Sequence, residues 1–256
     1  MSILCYHTVD PEWRSPLSVT PAEFDRQCSW LARNRRVVGI DQALRLLDRS
    51  FRLPAGTVAI TFDDGFAGVA THAASTLLRY RLQAMVFLVT STLTGESLRY
   101  EWVDGEPPPE PRTVTLDQAR SMQEQGISFG SHTVSHRDLT QLSDDECYAE
   151  LAESRQMLGD LLGRPSTLLA YPGGRHDERV RRLAQKAGYE AAFTLPERRE
   201  ASGTHAIPRV GIYPGNGELT LRIKDSRWYL PARTSAIFPA VQRAGRAVTR
   251  SLRRRR

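Results

Sequence analysis

The sequence predicts an α/β fold, a parallel sheet wrapped by helices and closed into a (β/α) barrel. Three observations lead there. Short apolar runs alternate with amphipathic stretches along most of the 256 residues. Seven or eight such repeats favour a barrel over an open sheet. Polar residues of chemical interest recur where the apolar runs stop, and in a parallel barrel those C-terminal strand ends converge on one face.

In order, the first strand is the run Ile3-Leu4-Cys5-Tyr6, ended by His7. A helix follows over TPAEFDRQCSWLARN, where Thr20 caps, Pro21 opens the first turn and Glu23 completes a capping box. Residues 37–40 (VVGI) read as a strand and residues 41–50 (DQALRLLDRS) as a helix. The run from Val58 to Phe62 is a strand ended by Asp63 and Asp64, with a helix reaching Leu77-Leu78 behind it. Residues 84–89 (AMVFLV) are the next strand. Residues 91–113, with Gly95, Gly105 and three successive prolines, break the rhythm and read as a long loop. Strands are then expected over 126–129 (GISF), 167–170 (TLLA), 191–194 (AAFT) and 209–212 (RVGI), with a helix over DERVRRLAQKAG. No internal repeat of fixed period is present. The expected division is a barrel over 1–232 and a basic tail over 233–256.

The charge is distributed unevenly. The net charge is +6, but residues 233–256 hold eight arginines and no acid, and removing those eight leaves −2 on the remainder. A general polyanion-binding surface on the barrel is therefore not expected, and nucleic acid is not an expected partner. Cys5, Cys28 and Cys147 lie far apart without CxxC spacing, which suggests neither a cysteine zinc site nor a disulfide framework and fits a reducing compartment. The opening MSILCYHTVDPEW lacks a signal-peptide pattern, and no run approaches the roughly 18 apolar residues of a membrane span. A cytoplasmic location is expected.

Two motifs carry chemistry. In TFDDG, two neighbouring carboxylates stand where a strand stops, although a simple turn needs only one Asp with its Gly. Solvation, helix capping or catalysis could account for the second. Gly65 lets the backbone leave the pleat, so that both aspartates can turn into one pocket. In His132-Thr133-Val134-Ser135-His136 a helical turn would set both imidazoles on one side, at a spacing suited to one Zn²⁺. Thr133 excludes the HExxH zincin pattern. Taken alone, HxxxH arises often by chance and is better read as a Ser/His-rich loop hydrogen-bonded to itself; beside a strand-end Asp-Asp pair it becomes specific.

TFDDG, then HTVSH, then LLAYPGG resembles the polysaccharide deacetylases of the NodB-homology type, also called carbohydrate esterase family 4, over about residues 1–215. The resemblance implies a distorted (β/α) barrel and a metal-dependent hydrolase that removes N-acetyl groups from a poly- or oligosaccharide. It implies Asp63 as catalytic base, with Asp64, His132 and His136 as ligands of a divalent metal, usually zinc. Water activation beside a metal needs a base separate from the ligands, which accounts for the paired aspartates.

The sequence departs from the commonest family pattern in two places. Many members carry an Arg in the third motif that orients the base, where this chain has Ala170; Arg209 in IPRVGI is the candidate replacement, with an ordinary surface arginine as the alternative. The general acid, commonly a His in a late LxxH motif, has two candidates. His205 in GTHAIP follows no apolar strand, whereas His7 ends one and resembles the branch whose motifs are circularly permuted. Tyr171, Pro172 and Gly173 are expected to form a pocket wall, with the Gly173 N–H placed to stabilise an oxyanion. Tyr100 and Trp102 of the long loop either stack on sugar rings or pack over the barrel mouth. His176 is expected in a solvated loop and His72 on a helix surface.

Two other functions compete with deacetylation: a catalytically silent carbohydrate-binding relative, marked by Ala170, or a protein acting through its tail. Ile237, Val241, Ala244, Val248 and Leu252 form a helical stripe opposite Arg243, Arg246, Arg250 and Arg253, behind Trp228-Tyr229-Leu230-Pro231. That pattern suits peripheral docking on an anionic membrane, at the inner face of a cytoplasmic membrane; a solvated tail or RNA binding are the alternatives.

Overall fold

The computed structural model describes residues 2–98, 113–163 and 166–235. Tyr100, Trp102 and the stripe from Ile237 to Leu252 lie outside the described residues. Among the described residues eleven strands appear in chain order: β1 (Ile3–Tyr6), β2 (Thr8–Val9), β3 (Ser18–Val19), β4 (Arg36–Val37), β5 (Thr57–Phe62), β6 (Ala84–Leu88), β7 (Ser128–Ser131), β8 (Leu168–Ala170), β9 (Ala191–Thr194), β10 (Ile207–Pro208) and β11 (Val210–Gly211). The helices are α1 (Pro21–Asn34), α2 (Ile40–Leu46), α3 (Ala74–Arg79), α4 (Leu116–Glu124), α5 (Asp144–Leu162), α6 (Glu178–Lys186), α7 (Glu218–Lys224) and α8 (Tyr229–Arg233). The last crosses the expected boundary at 232.

All pairings in the main sheet are parallel, in the order β10-β9-β8-β7-β6-β5-β1-β11, with β4 alongside the start of β5. The two ends of that order, β10 and β11, are separated in sequence by Arg209 alone. Residues 207–211 thus pair first with β9 and then with β1, which nearly closes the sheet into a parallel barrel wrapped by helices. Arg209 sits at the change of partner, not at the strand start expected from its sequence. Its N–H still bonds Thr194 O at 3.1 Å and Ile212 N–H bonds Cys5 O at 2.8 Å, so hydrogen bonding runs on to both neighbours around the change of partner.

Strands buried on both faces read as unbroken apolar runs, and their alternation sorts the two faces. Ile3, Ala59, Met85, Phe87, Leu168, Ala170, Ala191, Phe193 and Ile207 come from six strands into one cluster, the barrel interior. Leu4, Tyr6, Ile60, Phe62 and Val86 face outward to Phe24 and Leu31 of α1 and Leu77 of α3. The capping box at Thr20 and Glu23 is present as expected, with the Glu23 carboxylate returning to the Thr20 N–H at 3.1 Å.

Other boundaries shift for local reasons. Residues 37–40 are not one strand: β4 stops at Val37, extended Gly39 caps α2, and Ile40 is its first residue. That helix ends at Leu46, because Leu47 is already extended. Gly126, at φ 90°, belongs to the turn after α4, so β7 starts only at Ser128 and carries Ser131 to the barrel mouth. Among the described residues no helix is long and apolar enough to cross a membrane.

Candidate active site

β5 delivers the paired aspartates. Asp63 N–H still bonds Tyr6 O at 2.9 Å, so its side chain points into the barrel mouth in register with Thr61 and Ala59. Asp64 then adopts φ 68° and Gly65 φ 71°. Two successive left-handed residues swing the second carboxylate toward the same space; Asp tolerates that conformation better than most residues, and Gly65 makes it at no steric cost. Close approach also requires Gly68, where an added Cβ would lie 2.3 Å from Val9 O. Both aspartates are buried, Asp63 to 3% and Asp64 to 1% exposure.

Buried carboxylates need partners, and each aspartate has a different one. Asp63 accepts two parallel bonds from Arg209, Nη1 to Oδ1 and Nη2 to Oδ2, both at 2.6 Å. Nη1 also donates to Thr61 Oγ1 at 3.1 Å. The guanidinium lies 5.4 Å from the Phe87 ring centre and 5.9 Å from that of Phe193. The sequence left a surface arginine open as the alternative; at 1% exposure Arg209 is instead among the largest fully buried side chains. Burial pushes the Asp63 carboxyl up, but Arg209 and His132 outweigh it and hold the group below the ordinary carboxylate range.

Asp64 faces the histidines. Its Oδ1 lies 3.2 Å from His132 Nε2 and 3.4 Å from His136 Nε2, while Oδ2 is buried with no hydrogen-bond partner. Burial raises its pKa, yet the two imidazoles and His7 carry it well below the usual range. His132 is held above its ordinary value, burial being overcome by Asp63 and Asp64, whereas burial dominates at His136 and lowers it. The HTVSH segment is not helical, contrary to the premise drawn from its spacing. Thr133 at φ 69° and His136 at φ 61° turn the loop sharply, and the two rings meet edge to face at 4.9 Å.

These residues fit a metal. His132 Nδ1 lies 2.7 Å from the Ala170 carbonyl; donating there, a neutral ring aims its Nε2 lone pair at Asp64 Oδ1. Two imidazole nitrogens and a carboxylate oxygen fall within 4.8 Å of one another, a donor set suited to a divalent cation with open positions, and Asp64 Oδ2 is left without a partner until one binds.

A family model for polysaccharide deacetylases matches residues 52–192. The chain belongs to the polysaccharide deacetylase family. YxkH of Bacillus subtilis (strain 168), a protein named for that family, is 28% identical over 219 residues, 84% of this chain and 72% of its own. The structure of the Streptococcus pyogenes deacetylase PplD in complex with acetate matches with a TM-score of 0.75 at 26% identity, over 88% of this chain and 98% of that one. The de-N-acetylase from Aggregatibacter actinomycetemcomitans shares the fold, with a TM-score of 0.72 at 19% identity over 87% and 98%. This deacetylase is accordingly a hydrolase acting on carbon–nitrogen bonds other than peptide bonds.

Asp63, Asp64, His132, His136 and the Tyr171–Gly173 turn fall within the matched residues of the deacetylase; His7 and Arg209 do not, and reach the site because β1 and β11 are neighbours. His7 follows β1 directly, with a donor nitrogen within 4.8 Å of Asp63 and Cys5, and its Nδ1 is buried without a partner. His205 is elsewhere: its Nε2 lies 2.9 Å from Tyr189 O, level with the starts of β9 and β10.

Tyr171 does not form a pocket wall with its side chain. Ala170 faces inward, so Tyr171 faces outward among Leu151, Leu169 and Val180, its hydroxyl donating to His205 O at 3.0 Å. Pro172 is buried beneath the turn, and Gly173, at φ 59°, lines a cleft with Leu195, Arg209, Tyr213 and Tyr229. His176 is not solvated either; its side chain is 3% exposed, with Nε2 3.4 Å from Glu200 and its ring 5.0 Å from Tyr171. His72 lies partly exposed on the turn Val69–Ala73 that precedes α3, as expected.

Two neighbours of the site escaped the sequence reading. Cys5 Sγ contacts Asp63 Oδ2 at 3.3 Å from below; its place on β1 two residues before His7, hence on the same face of an extended run, was the available signal. Glu150 of α5 touches the HTVSH loop and carries no local signal at all.

Proposed function

We propose that the protein releases acetate from N-acetylated saccharides by metal-assisted amide hydrolysis, with one divalent ion, zinc by its donor set, held by Asp64, His132 and His136. One observation carries this reading: a two-nitrogen, one-oxygen donor set lies beside an aspartate clamped by arginine, four buried groups with no evident use in packing. The acetate in the PplD complex, the product expected of a deacetylase, supports it by likeness.

Such an ion, when bound, supplies a Lewis acid that polarises the amide carbonyl. The remaining work falls to the protein. Asp63, kept ionised by Arg209, takes a proton from the attacking water as its oxygen bonds to the carbonyl carbon. The Gly173 N–H donates to the developing oxyanion. His7 gives a proton to the nitrogen as the C–N bond breaks, leaving acetate and a free amine. Arg209 stands in for the arginine that Ala170 replaces, which argues against a silent relative. Membrane docking through residues 233–256 draws no support from the fold or the relatives.

The test is zinc content together with acetate release across a panel of N-acetylated oligosaccharides, using the full chain. About one zinc per chain and release from at least one oligosaccharide are expected. Full occupancy in the His132→Ala, His136→Ala double variant, or a zinc-loaded chain inert on the whole panel, overturns the reading.

A further inference from the structure

The loop that carries both histidines is held by a residue outside every motif. Each backbone N–H from His132 to His136 has a partner, and the partners differ. His132 N–H bonds Leu88 O at 2.8 Å, Thr133 N–H bonds Ser131 Oγ at 3.1 Å, and His136 N–H bonds Thr133 Oγ1 at 3.1 Å. The middle two, of Val134 and Ser135, both donate to Glu150 Oε2, at 2.9 and 3.0 Å. The Ser135 hydroxyl donates to the other oxygen, Oε1. One carboxylate therefore accepts three of the donors between the two imidazoles, the N–H groups of Val134 and Ser135 and the Ser135 hydroxyl.

Glu150 is 8% exposed and projects from the interior of α5, and among the described residues no cationic side chain pairs with it. A buried carboxylate without a counter-ion draws its stabilisation from hydrogen bonds, and all of those come from this loop. The dependence runs both ways. Thr133 and His136 occupy left-handed backbone conformations that cost a non-glycine residue energy, and such strain persists only where surrounding structure over-determines it. Ser154, one turn further along α5, reinforces the same loop by accepting from Ser131 Oγ at 2.9 Å. The face of α5 toward the barrel thus acts as a template for the HTVSH turn.

We propose that Glu150 is a positioning residue that sets His136 against His132 and Asp64 for metal binding, an inference that rests on the metal site described above. Without it, Val134 and Ser135 lose their acceptors, the turn relaxes toward ordinary backbone conformations, and His136 leaves the donor set. Gln at this position keeps an oxygen for the two N–H groups and an amide able to donate to Ser135 Oγ; it removes the charge and spares the geometry.

The experiment measures Zn²⁺ affinity by competition with a chromophoric chelator, using zinc alone and the full chain as wild type, His132→Ala, Glu150→Ala and Glu150→Gln, beside thermal unfolding of each apo form. Outer-shell partners of metal ligands typically contribute about 10–100-fold in affinity. Glu150→Ala is expected to bind zinc about 10–100-fold more weakly while remaining folded, and Glu150→Gln to recover at least half of that loss on a logarithmic scale. Unchanged affinity in folded Glu150→Ala, or equal losses in Ala and Gln, overturns the proposal. Should Glu150→Ala fail to fold, Glu150→Asp, too short to reach both N–H groups, takes its place with the same criterion. If instead wild type binds no zinc, or His132→Ala binds as well as wild type, it is the metal site itself that fails.

Discussion

Arg209→Met tests whether the barrel closure and the clamp on Asp63 are one device. Methionine keeps an unbranched stem between Phe87 and Phe193, so packing is largely retained and the guanidinium is what disappears. Two bonds of 2.6 Å to a buried carboxylate and one of 3.1 Å to Thr61 are lost. Hydrogen bonds to charged groups contribute about 1.5–3 kcal/mol each, and leaving one member of a buried ion pair alone costs about 3–5 kcal/mol. With both partners nearly inaccessible to water, no solvent screening reduces that figure. The expected destabilisation is about 3–5 kcal/mol, or a Tm lower by roughly 6–20 °C. Urea unfolding with excess chelator, which removes any metal linkage, measures it, and the slope m is expected to stay constant. Asp63→Asn in the same chain removes the orphaned charge, so the double variant is expected to recover about 2–3 kcal/mol relative to additivity. A single-variant loss below about 1 kcal/mol, or additive losses in the double variant, would refute the reasoning.

The catalytic assignment makes a separate prediction: Asp63→Asn keeps its zinc but loses acetate release by about 10²–10⁴-fold, and His7→Ala is more damaging than His205→Ala. The reverse order in steady-state kinetics would move the general acid to His205. Lys224 supplies a pH test away from the site. Burial, aided by Arg233, pushes its ammonium down from 10.5 to about 8, with Nζ bonded to Gly211 O at 2.6 Å. Between those values the unfolded chain holds the extra proton, so stability rises with pH through that window, by at most about 1.4 kcal/mol per unit. Lys224→Met is expected to lack that rise, and identical slopes of unfolding free energy against pH in the two proteins would count against it.

What the sequence determined by itself is local or periodic. Apolar runs of strand length, the capping box of Thr20 and Glu23, and a carboxylate pair ahead of Gly65 depend on neighbours a few residues apart, so their physics is complete within a short window. That the Asp63-Asp64 pair and His132 share one pocket was legible too, since strand ends of a parallel barrel converge whatever the details of their loops, whereas the grouping of Asp64 with both histidines followed from the family resemblance. Only the tertiary structure decided the rest. Arg209 acts on Asp63 across 146 positions because one short strand changes partner at that residue, a matter of register that no local pattern records. Tyr171 turned outward because Ala170, one residue earlier, faces inward, and strand parity is set by where the pairing ends. The HTVSH spacing suggested a helical turn, yet the loop follows the hydrogen bonds offered by Glu150 and Ser131. Backbone donors go where buried acceptors wait, and those acceptors are placed by packing α5 against the barrel.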